Sequence, residues 1–376
     1  MRASQRLLKK MDRLVGKPAV ALLPSPPRRE IPQHPRRILV IRPGGIGDAV
    51  QLIPTLGTLL DLFPGVTIDV LAERRNAGVF ALWSGVGTVY RYDTLSDLFA
   101  LLGREYDVVI DTEQWHRLSA VVARSIRARV SIGFGTNERK RLFTEVVPYS
   151  QEMHETFSFL NLLRPLGLHE LHEIPSKFLS VPPSAKARAT DMLGCYVTKP
   201  FVVLFPGASI PERRWGAERF RAVAEALCCR GIPIAVVGGN EDRNAGTVIT
   251  AGNVGLDLTG RSSLIEAAAI IEKASVLVSG DSGLLHIGAA LGIPTVSLFG
   301  PGRADKWAPM GESHIVINRR LPCSPCTIFG YTPRCTRGVQ CMSETGVDEV
   351  AQSVLKLVQH QSARCNERIP TKPLTP

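Results

Sequence analysis

The sequence has no long apolar run. Across 376 residues the apolar stretches, such as Val276–Val278 and Thr295–Phe299, are strand-sized. None approaches the ~18 residues of a membrane span, which excludes a transmembrane helix on this reading. The core of a secretory leader is missing too. The N-terminus is basic, but Ala19–Leu23 is shorter than the ~7–15 apolar residues such a leader needs. A cytoplasmic location is therefore expected. Net positive charge is scarce outside one end. The net charge is +11, yet residues 1–37 hold ten Lys and Arg against Asp12 and Glu30, a local +8. The rest of the chain carries only +3, so the pI is a poor argument for nucleic acid, and no nucleic-acid partner is expected. No repeat of solenoid period is present.

What is present is alternation. Hydrophobic residues make up 44% and charged residues 21%, ordinary for a soluble globular chain. At roughly 100–200 residues per domain the length predicts two domains. Leu7, Leu8, Met11, Leu14 and Val15 recur at helical spacing among Arg and Lys. A basic amphipathic helix of this kind either lies on an anionic membrane surface or packs on its own body. Pro24, Pro26, Pro27, Pro32 and Pro35 make residues 18–36 an extended linker. From Arg37 onward short β-branched runs alternate with helical patterns: Ile38–Ile41, Val66–Leu71, Thr88–Tyr92, Val108–Asp111 and Val130–Phe134 as strands, and Asp48–Leu62 as a helix. Residues 148–185 are rich in Pro, His and Leu and read as an inter-domain region. A second series begins with strand Phe201–Phe205 and continues through Ile232–Val237, Val276–Ser279 and Thr295–Phe299, with helices at 217–230, 241–251, 263–273 and 283–291. Such alternation predicts α/β architecture with two doubly wound parallel sheets facing a cleft. The expected layout is a helix and linker at 1–36, a first domain at 37–180, a second at 181–345, and a terminal helix (Val347–Gln359) with a disordered tail at 346–376.

Four turns at strand ends carry chemistry. Arg42-Pro43-Gly44-Gly45-Ile46-Gly47-Asp48 follows the first strand. It is not the dinucleotide fingerprint, because Val50 stands where the third glycine belongs and no acid ends strand two. Asp48 puts a carboxylate at a helix start on the ligand-binding edge of the sheet. On spacing alone, a plain N-terminal cap is the simpler reading. Phe205-Pro206-Gly207-Ala208-Ser209, then Arg213-Arg214-Trp215, pairs a small-residue loop with two guanidinium forks suited to a diphosphate. Gly238-Gly239-Asn240-Glu241 offers a carboxylate for a ribose diol or a helix cap. Ser279-Gly280-Asp281-Ser282-Gly283-Leu284-Leu285-His286 joins a buried strand to a helix whose first N–H groups suit an anion. Separately, Cys323, Cys326, Cys335 and Cys341 crowd into nineteen residues. In an intracellular protein that spacing predicts a structural zinc or iron on four thiolates.

Taken in order, RPGGIGDAVQLIPTL (42–56), FPGAS…RRW (205–215), GGNED (238–242), LTGRSSL (258–264) and GDSGLLHIGAALGIPTVSLFGP (280–301) resemble glycosyltransferase family 9, the ADP-heptose:lipopolysaccharide heptosyltransferases. The cysteine segment is similar to clusters in many members. The resemblance implies the GT-B architecture, with acceptor bound by the first domain and a nucleotide-diphospho-sugar donor by the second. It implies Asp48 as catalytic base. Ser209, Arg213, Arg214, Glu241, Thr259, Gly260, Asp281, Ser282, Gly283 and His286 would be donor ligands. Gly45, Gly47, Glu113 and His116 lie where an acceptor would bind, although Asp111–His116 has no clear match in the family. Arg213-Arg214 replaces a lysine often found there. Single displacement at the anomeric carbon would invert it. No Asp-x-Asp motif is seen in 181–345, so no catalytic cofactor is expected. The implied acceptor is a lipid-linked saccharide, which favours residues 1–17, with a local charge of +5, as a peripheral anchor on the cytoplasmic membrane face. Two alternatives remain open from sequence: a nucleotide-sugar epimerase of the same fold, which needs no acceptor, and a non-catalytic nucleotide-sugar-binding scaffold.

Overall fold

The β-branched run after the proline-rich segment becomes strand β1 (Arg37–Arg42), buried along all but its first residue. Parallel neighbours complete a six-stranded sheet: β2 (Thr67–Ala72), β3 (Val89–Arg91), β4 (Glu105–Asp111), β5 (Arg127–Phe134) and β6 (Glu145–Val147). Their order is β3-β2-β1-β4-β5-β6. In this computed structural model, which describes residues 11–170 and 173–367, a second parallel sheet follows: β7 (Val202–Phe205), β8 (Ile234–Val236), β9 (Leu256–Asp257), β10 (Val276–Gly280), β11 (Thr295–Phe299) and β12 (His314–Asn318). Its order, β12-β11-β10-β7-β8-β9, is the same winding. Both central strands are buried on both faces, hence their near-continuous Val, Ile and Leu content.

The chain divides into two units. One comprises Met1–Ser180 with Asp305–Trp307 and Ile328–Tyr331; the other comprises Val181–Ala304, Ala308–Thr327 and Thr332–Pro376. In each sheet the winding reverses beside the first strand, between β1 and β4 and between β7 and β10. Ligands of open α/β sheets bind at the carboxyl ends of such strand pairs. Within each sheet the register aligns the paired strand ends: Ile41 lies beside Asp111 in the first sheet, and Ser279 beside Phe205 in the second.

Some expectations are revised. Residues 18–36 are not linker throughout, because Lys17–Leu22 is helical and Val20 enters a core cluster with Leu39, Tyr90 and Val109. Pro18 is compatible with that helix because it stands in the first turn, where no N–H partner is needed. Residues 1–10 lie outside the described residues, so the anchor expected at 1–17 is seen only from Met11 on. There Asp12 is buried against the body. Within 148–185, helix Glu155–Asn161 buries Phe159 and Leu160, so this stretch supplies core to the first unit. Three edge strands, β6, β9 and β12, were not evident in the sequence. The terminal helix runs from Val347 to Glu367, and Val350, Val354 and Leu357 join the second unit's core. The tail from residue 368 lies outside the described residues.

Candidate functional site

In the first unit the site forms where β1 and β4 end. Gly44 takes a positive φ of 118°, which only glycine adopts without strain, and presents its N–H to Glu73 at 3.0 Å. The helix Ile46–Leu62 then starts with Gly47 and Asp48 in its first turn. The half-buried Asp48 accepts the Gly45 N–H at 3.0 Å through one carboxylate oxygen, Oδ2. A Cβ on Gly45 would collide with that oxygen, so the glycine is what lets the carboxylate fold back.

Behind this turn lies a wholly buried ionic network. Arg42 is 1% exposed and donates to the carbonyls of Pro43 (2.7 Å) and Thr112 (2.9 Å) and to Glu113 (3.3 Å). Glu113 is buried, and its other oxygen accepts the N–H groups of Gln114, Trp115 and His116. Burial works to raise the Glu113 pKa, but the charges of His116, Arg42 and Arg139 prevail and hold it below the usual carboxylate range. Glu113 is thus occupied in holding the loop Gln114–His116 and pairing Arg42, while Asp12 accepts the first N–H groups of the helix Arg117–Ser125. Asp111 and Arg139, both fully buried, form a second pair, and Arg139 also reaches the Glu113 carbonyl. His116 precedes the helix, with Nδ1 3.4 Å from the Asp12 carboxylate, which also accepts the Arg117 and Leu118 N–H groups at 2.6 and 2.8 Å.

A third buried pair completes the unit's charged set. Lys306 Nζ lies 2.8 Å from Glu155, donates to the carbonyls of Ser150 and Met153 (2.9 Å each), and sits 4.5 Å from the Tyr149 ring centroid. Tyr149 and Gln114 also donate to Glu155. Burial, the largest influence, raises the Glu155 pKa against the pull of Lys306, and burial likewise raises the Tyr149 hydroxyl. Sequence reasoning missed Arg42, Glu155 and Lys306 as site residues. Arg42 stood inside a quoted motif, where a charged end to an apolar strand was a usable signal. Glu155 and Lys306 are far apart in sequence and gave none.

In the second unit the quoted turns converge at the ends of β7, β8, β9 and β10. Arg213 pairs with buried Asp281 at 2.9 Å. Arg214 lies 3.4 Å from buried Asp242 and donates to the Ala208 carbonyl. Gly207 and Gly302 leave room for these carboxylates, since a Cβ at either would overlap one. Ser282 caps the helix Gly283–Ala290, accepting the Leu285 N–H at 3.2 Å, and His286 is buried one turn in. Thr259 is held on Asp257 by two bonds of 2.9 and 2.7 Å, and Gly260 turns at φ 65° with its N–H on the Gly238 carbonyl. Ser209 and Glu241 are exposed at the same edge. Asp242, missed in the sequence, accepts the Gly239 N–H at 3.1 Å; burial raises its pKa against that bond and Arg214.

The four clustered cysteines differ in exposure. Cys341 is buried, Cys326 is partly buried, and Cys323 and Cys335 are exposed. Burial first, then the neighbouring thiols, raises the pKa values of Cys326 and Cys341. Among the described residues no group of three or more His, Cys, Asp or Glu side chains is gathered to hold a metal ion. The exposed loop places its thiols near one another without closing them into a cage. Among the described residues, too, no helix is long and apolar enough to cross a membrane.

Residues 97–330 match the sequence profile of Glycosyltransferase family 9 (heptosyltransferase). The chain is 26% identical over 299 residues to a lipopolysaccharide heptosyltransferase 3 of Escherichia coli, covering 72% of this chain and 85% of that protein. It is 30% identical over 311 residues to lipooligosaccharide heptosyltransferase 2 of Haemophilus ducreyi, covering 75% and 88%. The fold matches that of E. coli ADP-heptose LPS heptosyltransferase II, with a TM-score of 0.72 at 22% identity over 87% of this chain and 99% of that one. It also matches a glycosyl transferase of family 9 from Veillonella parvula, with a TM-score of 0.74 at 20% identity over 88% and 99%. The two Rossmann-ordered sheets are those of the GT-B fold, and the chain is an enzyme of glycosyltransferase family 9, the heptosyltransferases.

Proposed function

We propose that this enzyme moves a heptose from ADP-heptose to a lipopolysaccharide-type acceptor with inversion at the anomeric carbon. The observation that carries the reading is Asp48. Its Oδ2 is held by the Gly45 N–H, at the edge where an acceptor of the first unit would lie. That leaves Oδ1 to take the acceptor hydroxyl's proton as the oxygen attacks. Gly45 and Gly47 shape the turn, and His116 stands on the adjoining loop. Glu113 supports that loop from beneath and does not face the acceptor.

The second unit supplies the leaving-group chemistry. Arg213 and the N–H groups at the Gly283 end of its helix meet the diphosphate as negative charge builds on it. Arg214 and Ser209 flank it, and Asp281 and His286 orient the cation and the sugar. Glu241 takes the ribose hydroxyls, with Thr259 and Gly260 lining the nucleotide. The reaction needs no catalytic metal. Support for the donor comes from structural relatives named as heptosyltransferases, one solved with ADP and one named for ADP-heptose. A structural zinc or iron on Cys323, Cys326, Cys335 and Cys341 belongs to the same reading. It is supported by the neighbouring thiols that, after burial, raise the pKa values of Cys326 and Cys341, and it requires the segment to close around the ion. Residence on the inner membrane face, with the basic segment 1–17 as the contact, completes it.

The test is Asp48→Asn. Transfer should fall more than tenfold while ADP affinity, measured by calorimetry, stays within a few-fold. A variant that keeps more than a tenth of the wild-type rate would reduce Asp48 to a helix cap.

A further inference from the structure

Parallel strands gather all their amino ends at one edge, and in the first unit that edge is basic. Residues preceding and opening β1, β4 and β5 line a cavity of about 850 Å³, roofed by the proline-rich segment. Five arginines line it: Arg29 from that segment, Arg36 and Arg37 at β1, and Arg127 and Arg129 on β5. The carboxylates are Glu30, Glu105 and Asp107, so the lining holds a net charge of +2.

The bonding shows which charges are already answered. Asp107 accepts the backbone N–H groups of Arg36 and Arg37 at 2.7 and 3.0 Å. Arg37 is paired with Asp69 at 3.0 Å and lies over the Tyr106 ring. Arg127 and Glu105 stand 3.9 Å apart, both largely exposed, an interaction worth little. Among the described residues the side chains of Arg29, Arg36 and Arg129 make no ion pair or hydrogen bond. Three guanidiniums without a partner thus line one cavity beside the carboxylates of Glu30 and of Asp107, the latter bonded only to backbone N–H groups. A smaller cavity of about 160 Å³ adjoins, sharing Arg29 and Arg129 and adding Arg124 and the Pro26-Pro27 turn. Like charges gathered round a hollow repel one another unless an anion neutralises them, and planar guanidinium forks suit phosphate oxygens.

We infer that this cavity is a second, non-catalytic binding site for a ligand bearing two or more clustered phosphate groups. It lies at the opposite sheet edge from Asp48, a strand length of about 20 Å away at ~3.3 Å per residue. The donor's diphosphate, held in the second unit, is therefore not its occupant. The same chemistry is offered by a free polyphosphate and by a phosphate-bearing lipid headgroup.

Inorganic pyrophosphate titrated into the full-length protein with saturating ADP present isolates the site. Binding should occur once per chain and weaken as salt rises from about 0.05 to about 0.3 M, because added salt shortens the Debye length and screens the guanidiniums from the anion. It should weaken at least tenfold in R36Q/R129Q, whose altered residues are exposed and outside the transfer machinery, and stay unchanged in Arg213→Ala. In a parallel arm, phosphatidylcholine vesicles doped with cardiolipin, whose headgroup carries two phosphates, are sedimented with each protein. Pyrophosphate binding lost in R36Q/R129Q identifies free phosphate as an occupant, and vesicle binding lost in the same variant identifies a headgroup. If neither arm responds to the two substitutions, no anion site exists there. Because neither arm reads sugar transfer, that outcome leaves the proposed reaction standing.

Discussion

Arg42 and Arg139 head the wholly buried side chains among the described residues, and neither could lie in an apolar core without its carboxylate. The pattern recurs at Lys306, which lies with Glu155 in the same unit. Removing one partner of such a pair strands the other, so Lys306→Met should destabilise by about 3–5 kcal/mol. Glu155→Gln combined with it should recover part of that loss, because the remaining amide can be hydrogen-bonded by Tyr149. Denaturant titration of the single and double variants measures the coupling. The two arginines of the second unit should separate in a different assay. Arg213 is mostly buried on Asp281, whereas Arg214 is 38% exposed and tied to a carbonyl. Arg213→Ala should weaken ADP binding by about 1.5–3 kcal/mol, and Arg214→Ala by less than about 1 kcal/mol, as calorimetry would show.

Among the elements, the central strands and the edge strand β3 were legible in the sequence, and the other three edges were not. β1, β4, β7, β10 and β11 are largely buried, so each is marked by Val, Ile, Leu or Phe at its central positions. The edge strand β9 has two residues and β6 three, too short to show a period. The turns at Gly44–Asp48 and Asp281–His286 were legible because each needs small residues beside one acid. Asp242 was hidden because its role is set by Gly239 and Arg214, which the fold brings to it. Likewise Glu113 looked like an acceptor ligand only while Arg42 was out of view. β12 carries its own prediction. Burial pushes the His314 imidazole down to about 4, and Nδ1 lies 3.0 Å from the Thr295 hydroxyl. The folded state therefore resists a proton that the unfolded chain accepts near 6.5. Stability from this group is fully present above pH 6.5 and is lost as pH falls toward 4. The loss should reach about 2 kcal/mol after allowing for partial exposure. In His314→Gln that acid-sensitive component, followed by urea unfolding between pH 7 and 4.5, should disappear.

Over the whole molecule, two units of identical winding carry different chemistry at their carboxyl edges: a carboxylate over buried ion pairs in one, and arginines with a helix N-terminus in the other. That division matches a reaction with one partner to deprotonate and one to relieve of a diphosphate. The most direct test supplies purified enzyme with ADP-heptose and a heptose-deficient lipopolysaccharide acceptor, and follows the products by NMR. The account predicts that ADP appears only when the acceptor is present, and that the new glycosidic bond has the anomeric configuration opposite to the donor's. Retention of configuration, or donor turnover that ignores the acceptor, would contradict it.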